Sequence, residues 1–339
     1  MKKVLVLMLF VFTVIGLTAC NSKVDYSDMT LNVYFVPSRP ADEILTITKP
    51  LEGLLKDELA NLGYEVGGVK VLVSSTYEAA GEALLGGTGD IAFLPGGTYV
   101  AYKDIADSPI EVILAATRAG LNKDSMDAKD WNDGQPTTGD PDYQVAYYKG
   151  LIIAGPSEAG REVAAKVNNG DTLVWDDVKD LDWCVRSATS SSGYIYPAIW
   201  LDDNFGKRFD DIEGIVTQTG GYGDTMSSLA AGTCDVGTIY ADARRDYADD
   251  WTSTYGREES IWAETDVIGV TSNIMNDTIS VSHVNLDDGI IAAIQQAFLN
   301  IAQTEAGLAV MAIYSHQGYT IVTDEDYDGA RAAALIAEG

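Results

Sequence analysis

The sequence predicts an α/β protein of two related lobes, each a mainly parallel sheet flanked by helices, with a ligand cleft between them. Three observations carry that prediction. Apolar residues make up 46% of the 339-residue chain, enough to fill two cores. Short apolar runs of strand length alternate with helix-period stripes, the pattern of crossover connections on parallel sheets. One segment also recurs: TYEAAGEALLGGTGDIAFLP (Thr76 to Pro95) and GYGDTMSSLAAGTCDVGTIY (Gly221 to Tyr240) align at a constant offset of 145. A helix–turn–strand unit present twice implies two lobes of one fold, since a solenoid needs at least three stacked repeats.

The elements follow in order. Leu31 to Val36 is an uninterrupted apolar run and predicts a buried strand. Pro37-Ser38-Arg39-Pro40 turns the chain, and Ile44, Ile47, Leu51, Leu54, Leu55 and Leu59 then fall on one helical face. Val69 to Ser74 is the next strand, Glu78 to Leu85 a short helix, and Asp90 to Leu94 a third strand ending in Pro95-Gly96-Gly97. Residues 122 to 144 are polar, rich in Asp, Gly and Pro and without period, so they predict a surface insertion. Tyr147 to Ala154 restores an apolar strand that crosses into the second lobe. Short helices at Val163 to Val167 and Trp175 to Leu181 precede a strand at Cys184 to Ser187 and a helix at Tyr194 to Phe205. Ile215 to Gln218, Thr225 to Ala231 and Asp235 to Tyr240 read as strand, helix and strand. Val267 to Met275 predicts the crossing back, and amphipathic helices at Asp287 to Gln303, Thr304 to Tyr314 and Asp324 to Ala337 pack behind the lobes. The expected division is a first lobe of 31–117 plus about 268–339 and a second of about 118–267.

The N-terminus reads as a targeting segment. Lys2 and Lys3 precede an uncharged apolar run from Val4 to Leu17, and Leu17-Thr18-Ala19-Cys20 resembles a lipobox. Residues 1–19 are therefore expected as a lipoprotein signal peptide, Cys20 as the acylated residue and 20–30 as a tether. That places the chain on the extracytoplasmic face of the cell membrane, held through its N-terminal lipid. Net charge is −29, or −31 without Lys2 and Lys3. Such acidity excludes nucleic acid, whose phosphates need a basic footprint, and adsorption on an anionic membrane surface. Any anionic ligand must be held by local donors. Cys184 and Cys234 remain after Cys20, and in an oxidising compartment they are either bridged or buried as free thiols.

The stretch VRSATSSSGYIYP (Val185 to Pro197) joins a strand end to a helix through Thr189, Ser190, Ser191 and Ser192. Hydroxyls at a helix start and the free N–H groups of its first turn can converge on one anion, helped by about +0.5 of an elementary charge at the terminus. The plainer reading is a serine-rich N-cap. Gly193 lets the backbone approach closely. The repeat places Tyr77 and Tyr222 at matching helix starts, where both would face the cleft with a hydroxyl to donate.

Nothing nominates a catalyst. His283 and His316 lie late in the chain, and HExxH, CxxC and GxSxG are absent. The acidic clusters lack the calcium-loop pattern and read as solvated faces. No base is nominated for the serines. A non-enzymatic binder without metal or cofactor is expected.

Three motifs resemble one family, the phosphate/phosphite/phosphonate-binding lipoproteins that feed ABC importers. LNVYFVPSRPADEI followed by KPLEGLL is similar to the family's opening strand and helix, SSTYEAAGEALLGGTGDIAFLPGGTYV to its tyrosine helix and following strand, and SATSSSGYIYP to its Ser-Thr-Ser-Gly turn. The likeness runs through nearly all of the mature chain. It implies a type II periplasmic-binding-protein fold that closes on a small phosphorus oxyanion, with ABC permease and ATPase subunits as partners and a monomeric state. Carried over by position, Ser190, Ser191 and Ser192 would hold the oxygens, and Tyr77 and Thr98 would contribute from the first lobe. Tyr222 stands where some members have histidine. Asp242 would accept a proton from the ligand or meet an amine. Thr271 stands where aminoalkyl-phosphonate binders place a carboxylate, which argues against that ligand class. The resemblance and the residues together predict a trap of neutral hydroxyls and helix ends without basic side chains. A lipid-anchored sensor of the same fold and a sulfonate binder are the alternatives.

Overall fold

A computed structural model of the chain describes residues 26–219 and 221–338. The expected signal peptide, Cys20 and the start of the expected tether lie outside the described residues. The first sheet holds β1 (Tyr26–Phe35), β2 (Val66–Val73), β3 (Ile91–Leu94), β4 (Ile110–Leu121) and β5 (Gly139–Val145). The second holds β6 (Tyr147–Ala154), β7 (Trp183–Val185), β8 (Ile215–Thr217), β9 (Val236–Tyr240) and β10 (Asp266–Met275). The chain then returns to the first sheet with β11 (Thr278–Ser282) and β12 (Gly318–Ile321). Strand orders are β12-β4-β11-β3-β1-β2, with β5 on β4, and β10-β6-β9-β7-β8.

The two sheets repeat one plan. β1 pairs in parallel with β2 and β3, and β7 does the same with β8 and β9. Beyond them β11 and β6 are each inserted antiparallel, beside β3 and β9. The 145-residue offset holds in detail. Gly87 and Gly232 close the helices Tyr77–Leu85 and Tyr222–Ala230 with φ of +71° and +69°, a left-handed turn that suits glycine. Asp90 and Asp235 then each accept a backbone N–H from the adjacent strand region, Asn32 at 2.8 Å and Asp182 at 2.9 Å.

The central strands of each sheet are buried on both faces, as in β3 and β11 of the first and β6 and β9 of the second. The first core gathers Phe35, Phe93, Leu114 and Phe298, with the rings of Phe35 and Phe93 stacked at 4.4 Å. The second sheet carries one cluster around Trp251, Met226 and Leu151 and another around Trp183, Leu201 and Val163. Cys184 and Cys234 are joined in a disulfide spanning 50 residues, which resolves the choice the sequence left open.

The sequence misplaced several boundaries. β1 begins at Tyr26, five residues into the expected tether, because the buried Tyr26 and its pairing with Val66 extend the sheet. The chain passes between sheets at Ala146 and at Asn276-Asp277, not near 118 and 268. β4 runs to Leu121 in the first sheet, and β10 stays bonded to β6 as far as Met275. The stretch 122–144 is not merely a surface insertion: β5 pairs with β4, Trp131 is buried in the second lobe's core, and the Thr137 hydroxyl is buried against Asp242. Its polar sequence hid these few anchors. β4, β12 and the helix Gly96–Lys103 were not foreseen, and the helix at 163–167 extends over Glu158–Asn169.

Candidate ligand site

The carboxyl ends of β1, β3, β7 and β9 face one another across the two lobes, where ligands of α/β sheets collect. They enclose a cavity of about 50 Å³. That is room for roughly four water-sized groups, close to a tetrahedral oxyanion. Ser190, Ser191 and Ser192 line it from the second lobe and Tyr77 from the first. The serine segment enters its helix Tyr196–Phe205 through a wider turn, in which the Ile195 N–H reaches back to the Ser190 carbonyl at 3.0 Å. The N–H groups at its start thus precede any intrahelical acceptor. Close packing holds the turn: a Cβ on Gly193 would lie 2.3 Å from Arg186 Cγ and 2.7 Å from Ser190 Oγ.

Tyr77 and Tyr222, matched by the repeat, both reach the cavity. The Tyr222 hydroxyl hydrogen-bonds Ser192 Oγ at 2.9 Å and lies 3.4 Å from Ser190 Oγ. Burial, then the neighbouring Tyr222, pushes the Tyr77 hydroxyl far above its ordinary pKa, so it remains a donor. Burial does the same to Tyr148 and Tyr314, two further lining tyrosines the sequence did not single out.

Two expected residues, Thr98 and Asp242, lie elsewhere, as does Thr271, the position aligned with the carboxylate of aminoalkyl-phosphonate binders. Thr98 is fully buried and donates to the Thr189 carbonyl at 3.3 Å, so it joins the lobes instead of lining the cavity. Asp242 pairs with Arg244, accepting at 3.0 and 2.8 Å, and also accepts the Thr137 hydroxyl at 2.7 Å. Its oxygens are committed within the second lobe. Thr271 accepts the Gly150 N–H at 2.7 Å inside the sheet.

The expectation of a trap without basic side chains is overturned. Arg39 and Arg118 line the cavity. Arg118 donates to the cavity-lining Asp277 at 2.9 Å, and its Nε is buried without a hydrogen-bond partner among the described residues. Burial works to raise the Asp277 pKa, but His316 and Arg118 outweigh it and hold the carboxyl below its usual range. Arg186 is 3% exposed and sits between the rings of Tyr77 and Tyr222, at 5.7 and 5.3 Å from their centroids. Nη1 donates to the Gln218 carbonyl at 2.8 Å, and Nε has no partner among the described residues. No carboxylate among the described residues pairs with this guanidinium. The missed signal was positional: Arg39 and Arg186 stand just beyond the carboxyl ends of β1 and β7, and Arg118 lies in the last part of β4, where it leaves β12 for β5.

The lobes are closed on one another. Gly97 N–H donates to Ser191 Oγ at 3.0 Å, Thr189 Oγ1 to Glu78 at 2.8 Å, and Arg39 pairs with Asp246 at 2.8 Å.

Two sheets joined by two strand passages, closed over a buried polar cavity, define a periplasmic-binding-protein fold. The chain matches the family of ABC-transporter phosphonate periplasmic substrate-binding proteins over residues 33–327, and it belongs to that family. No curated protein sequence matches it. Among solved structures it is similar to a binding component of an ABC phosphonate transporter from Pseudomonas aeruginosa, at 17% identity and TM-score 0.64 over 91% of this chain and 86% of that one. PhnD1 of Prochlorococcus marinus, in complex with methylphosphonate, gives 14% identity and TM-score 0.62 over 90% and 97%. The aliphatic sulphonate-binding protein SsuA of Escherichia coli gives 13% and 0.50 over 91% of this chain and 92% of that one.

Proposed function

We propose that this protein captures a small phosphorus oxyanion (phosphonate, phosphite or phosphate) between its lobes and delivers it to the permease and ATPase of an ABC importer. In this reading it is a monomer, does no chemistry on its ligand, and is tethered outside the cell membrane through a lipid on Cys20. One observation carries it: a tetrahedron-sized cavity lined by three serine hydroxyls, tyrosines and Arg118 lies beside Arg186, a buried cation without a carboxylate partner among the described residues. Family membership and the likeness to a methylphosphonate complex support the same ligand class. Binding exchanges water for oriented O–H and N–H donors, each charge-assisted bond contributing about 1.5–3 kcal/mol. Several such bonds, less the cost of ordering and closure, give roughly micromolar affinity.

The likeness to SsuA favours a sulfonate as the second reading. A thermal-shift panel of phosphate, phosphite, methylphosphonate and methanesulfonate on the mature chain separates the two. Replacing Ser190 and Ser192 together with alanine should leave the fold intact and weaken the best phosphorus anion at least tenfold. Unchanged calorimetric binding in that double variant would falsify the serine cradle.

A further inference from the structure

A second, larger space lies beside the oxyanion cavity. It encloses about 410 Å³, and the two share Arg118, Tyr148, Tyr240 and Ser315 in their walls. The small cavity fits one tetrahedral group and little more. The large one falls in the ~300–1,000 Å³ range of pockets that enclose organic ligands. A hydrogen, hydroxyl or methyl on phosphorus would leave it unfilled.

Its lining indicates what would fill it. The Tyr143 ring lies directly on the Gly120 backbone, where a Cβ would come within 2.3 Å of it, and that ring is seated yet 58% exposed. The Tyr147 hydroxyl is turned to Asp124 at 3.0 Å. Charges in the wall are largely paired within it or beside it: Lys149 with Asn273 at 2.6 Å and Asp124 at 3.5 Å, and Asp246 with Arg39. The space therefore offers aromatic faces and hydrogen-bonding groups with no dominant sign of charge. That combination suits a ring-bearing polar group, which stacks on tyrosine and satisfies its own donors and acceptors.

We infer that the ligand is a phosphorus oxyanion carrying a sizeable, ring-bearing polar organic substituent, with its oxyanion in the small cavity and its substituent in the large one. This rests on the phosphorus-oxyanion reading of the serine site and narrows it to organophosphonates or phosphate monoesters. The test is calorimetric titration of the mature chain with phosphate, methylphosphonate, phenyl phosphate and a nucleoside 5′-monophosphate. At least one ring-bearing probe should bind tenfold or more tightly than methylphosphonate. Ala312→Trp, which places an indole in the large cavity from an exposed position, should abolish that advantage and leave methylphosphonate binding unchanged. Tyr143→Ala provides an independent check that adds no bulk, with the same loss expected. Affinities for small and ring-bearing probes that agree within twofold overturn this inference and leave the serine site standing. Failure of every phosphorus probe to bind overturns both.

Discussion

Closure can be tested at Gly97, where the two lobes pack closely. It sits in the first turn of the helix Gly96–Lys103, and a Cβ there would meet Ile195 Cδ1 at 2.4 Å and the Thr189 carbonyl oxygen at 2.7 Å. The isoleucine methyl can rotate away, but the carbonyl is backbone. Ordinary carbon contacts need about 3.5 Å, so the lobes must separate locally by nearly an ångström. The Gly97–Ser191 and Thr98–Thr189 bonds would stretch with that movement. Overpacking of this kind costs about 1–3 kcal/mol. Because Ile195 and Thr189 belong to the opposite lobe, the whole cost falls on the closed form. Gly97→Ala should therefore weaken binding of the tightest panel anion about 5- to 160-fold, with the thermal midpoint of the unliganded protein unchanged. Titration calorimetry gives the affinity, and small-angle scattering gives the contraction on adding ligand. Wild-type affinity together with wild-type contraction would show that the lobes do not meet there, and the closed geometry described above would be wrong.

Two more outcomes follow from the same contacts. Burial acts to raise the Glu78 pKa, but hydrogen bonds from its own N–H and from Thr189 and Thr76 hold it below the usual range. Opening the cleft removes Thr189, so ionised Glu78 favours closure; that contribution is complete above the open-form pKa and is lost as pH falls through the closed-form value. Affinity should accordingly drop in the acid carboxylate range, and Glu78→Gln should flatten that limb; an unaltered pH profile in the variant refutes the contact. Reducing the Cys184–Cys234 bridge frees a loop worth about 4 kcal/mol by the chain-entropy relation. Calorimetric unfolding should show a melting transition several degrees lower, and an unmoved transition would mean that the bridge does not constrain the unfolded chain.

The sequence carried the local and repeated parts of this structure well. Gly87 and Gly232, Asp90 and Asp235, and Tyr77 and Tyr222 each perform one task twice, and a constant offset displays them without coordinates. The serine turn was visible because its donors are consecutive. What escaped was non-local. Asp277 matters because the chain passes between lobes there and sets its carboxylate against Arg118, 159 residues away in sequence. Asp242 looked available until the chain turned Arg244, two residues on, back onto it and the fold brought Thr137 from 105 residues away. Residues 122–144 read as exposed because three anchoring features, Trp131, Thr137 and β5, are diluted among polar neighbours.

The arginines change the account of how so acidic a chain could hold an anion. The net charge of −29 lies largely on solvated side chains, whose fields decay over about 8 Å at physiological ionic strength. Inside the cleft the local charges decide. Arg118 is neutralised by Asp277 and Arg39 by Asp246, so these two contribute oriented donors more than net charge. Arg186 differs: it is buried and has no carboxylate partner among the described residues, and leaving a cation so costs several kcal/mol. The Gln218 carbonyl and two aromatic faces offset part of that, and one of those faces, Tyr77, comes from the opposite lobe and reaches Arg186 only when the cleft is closed. In the proposed function, an anion among the serines would supply the remaining counter-charge. Ligand and closure would then relieve the same buried cation, which would make binding and lobe movement a single event.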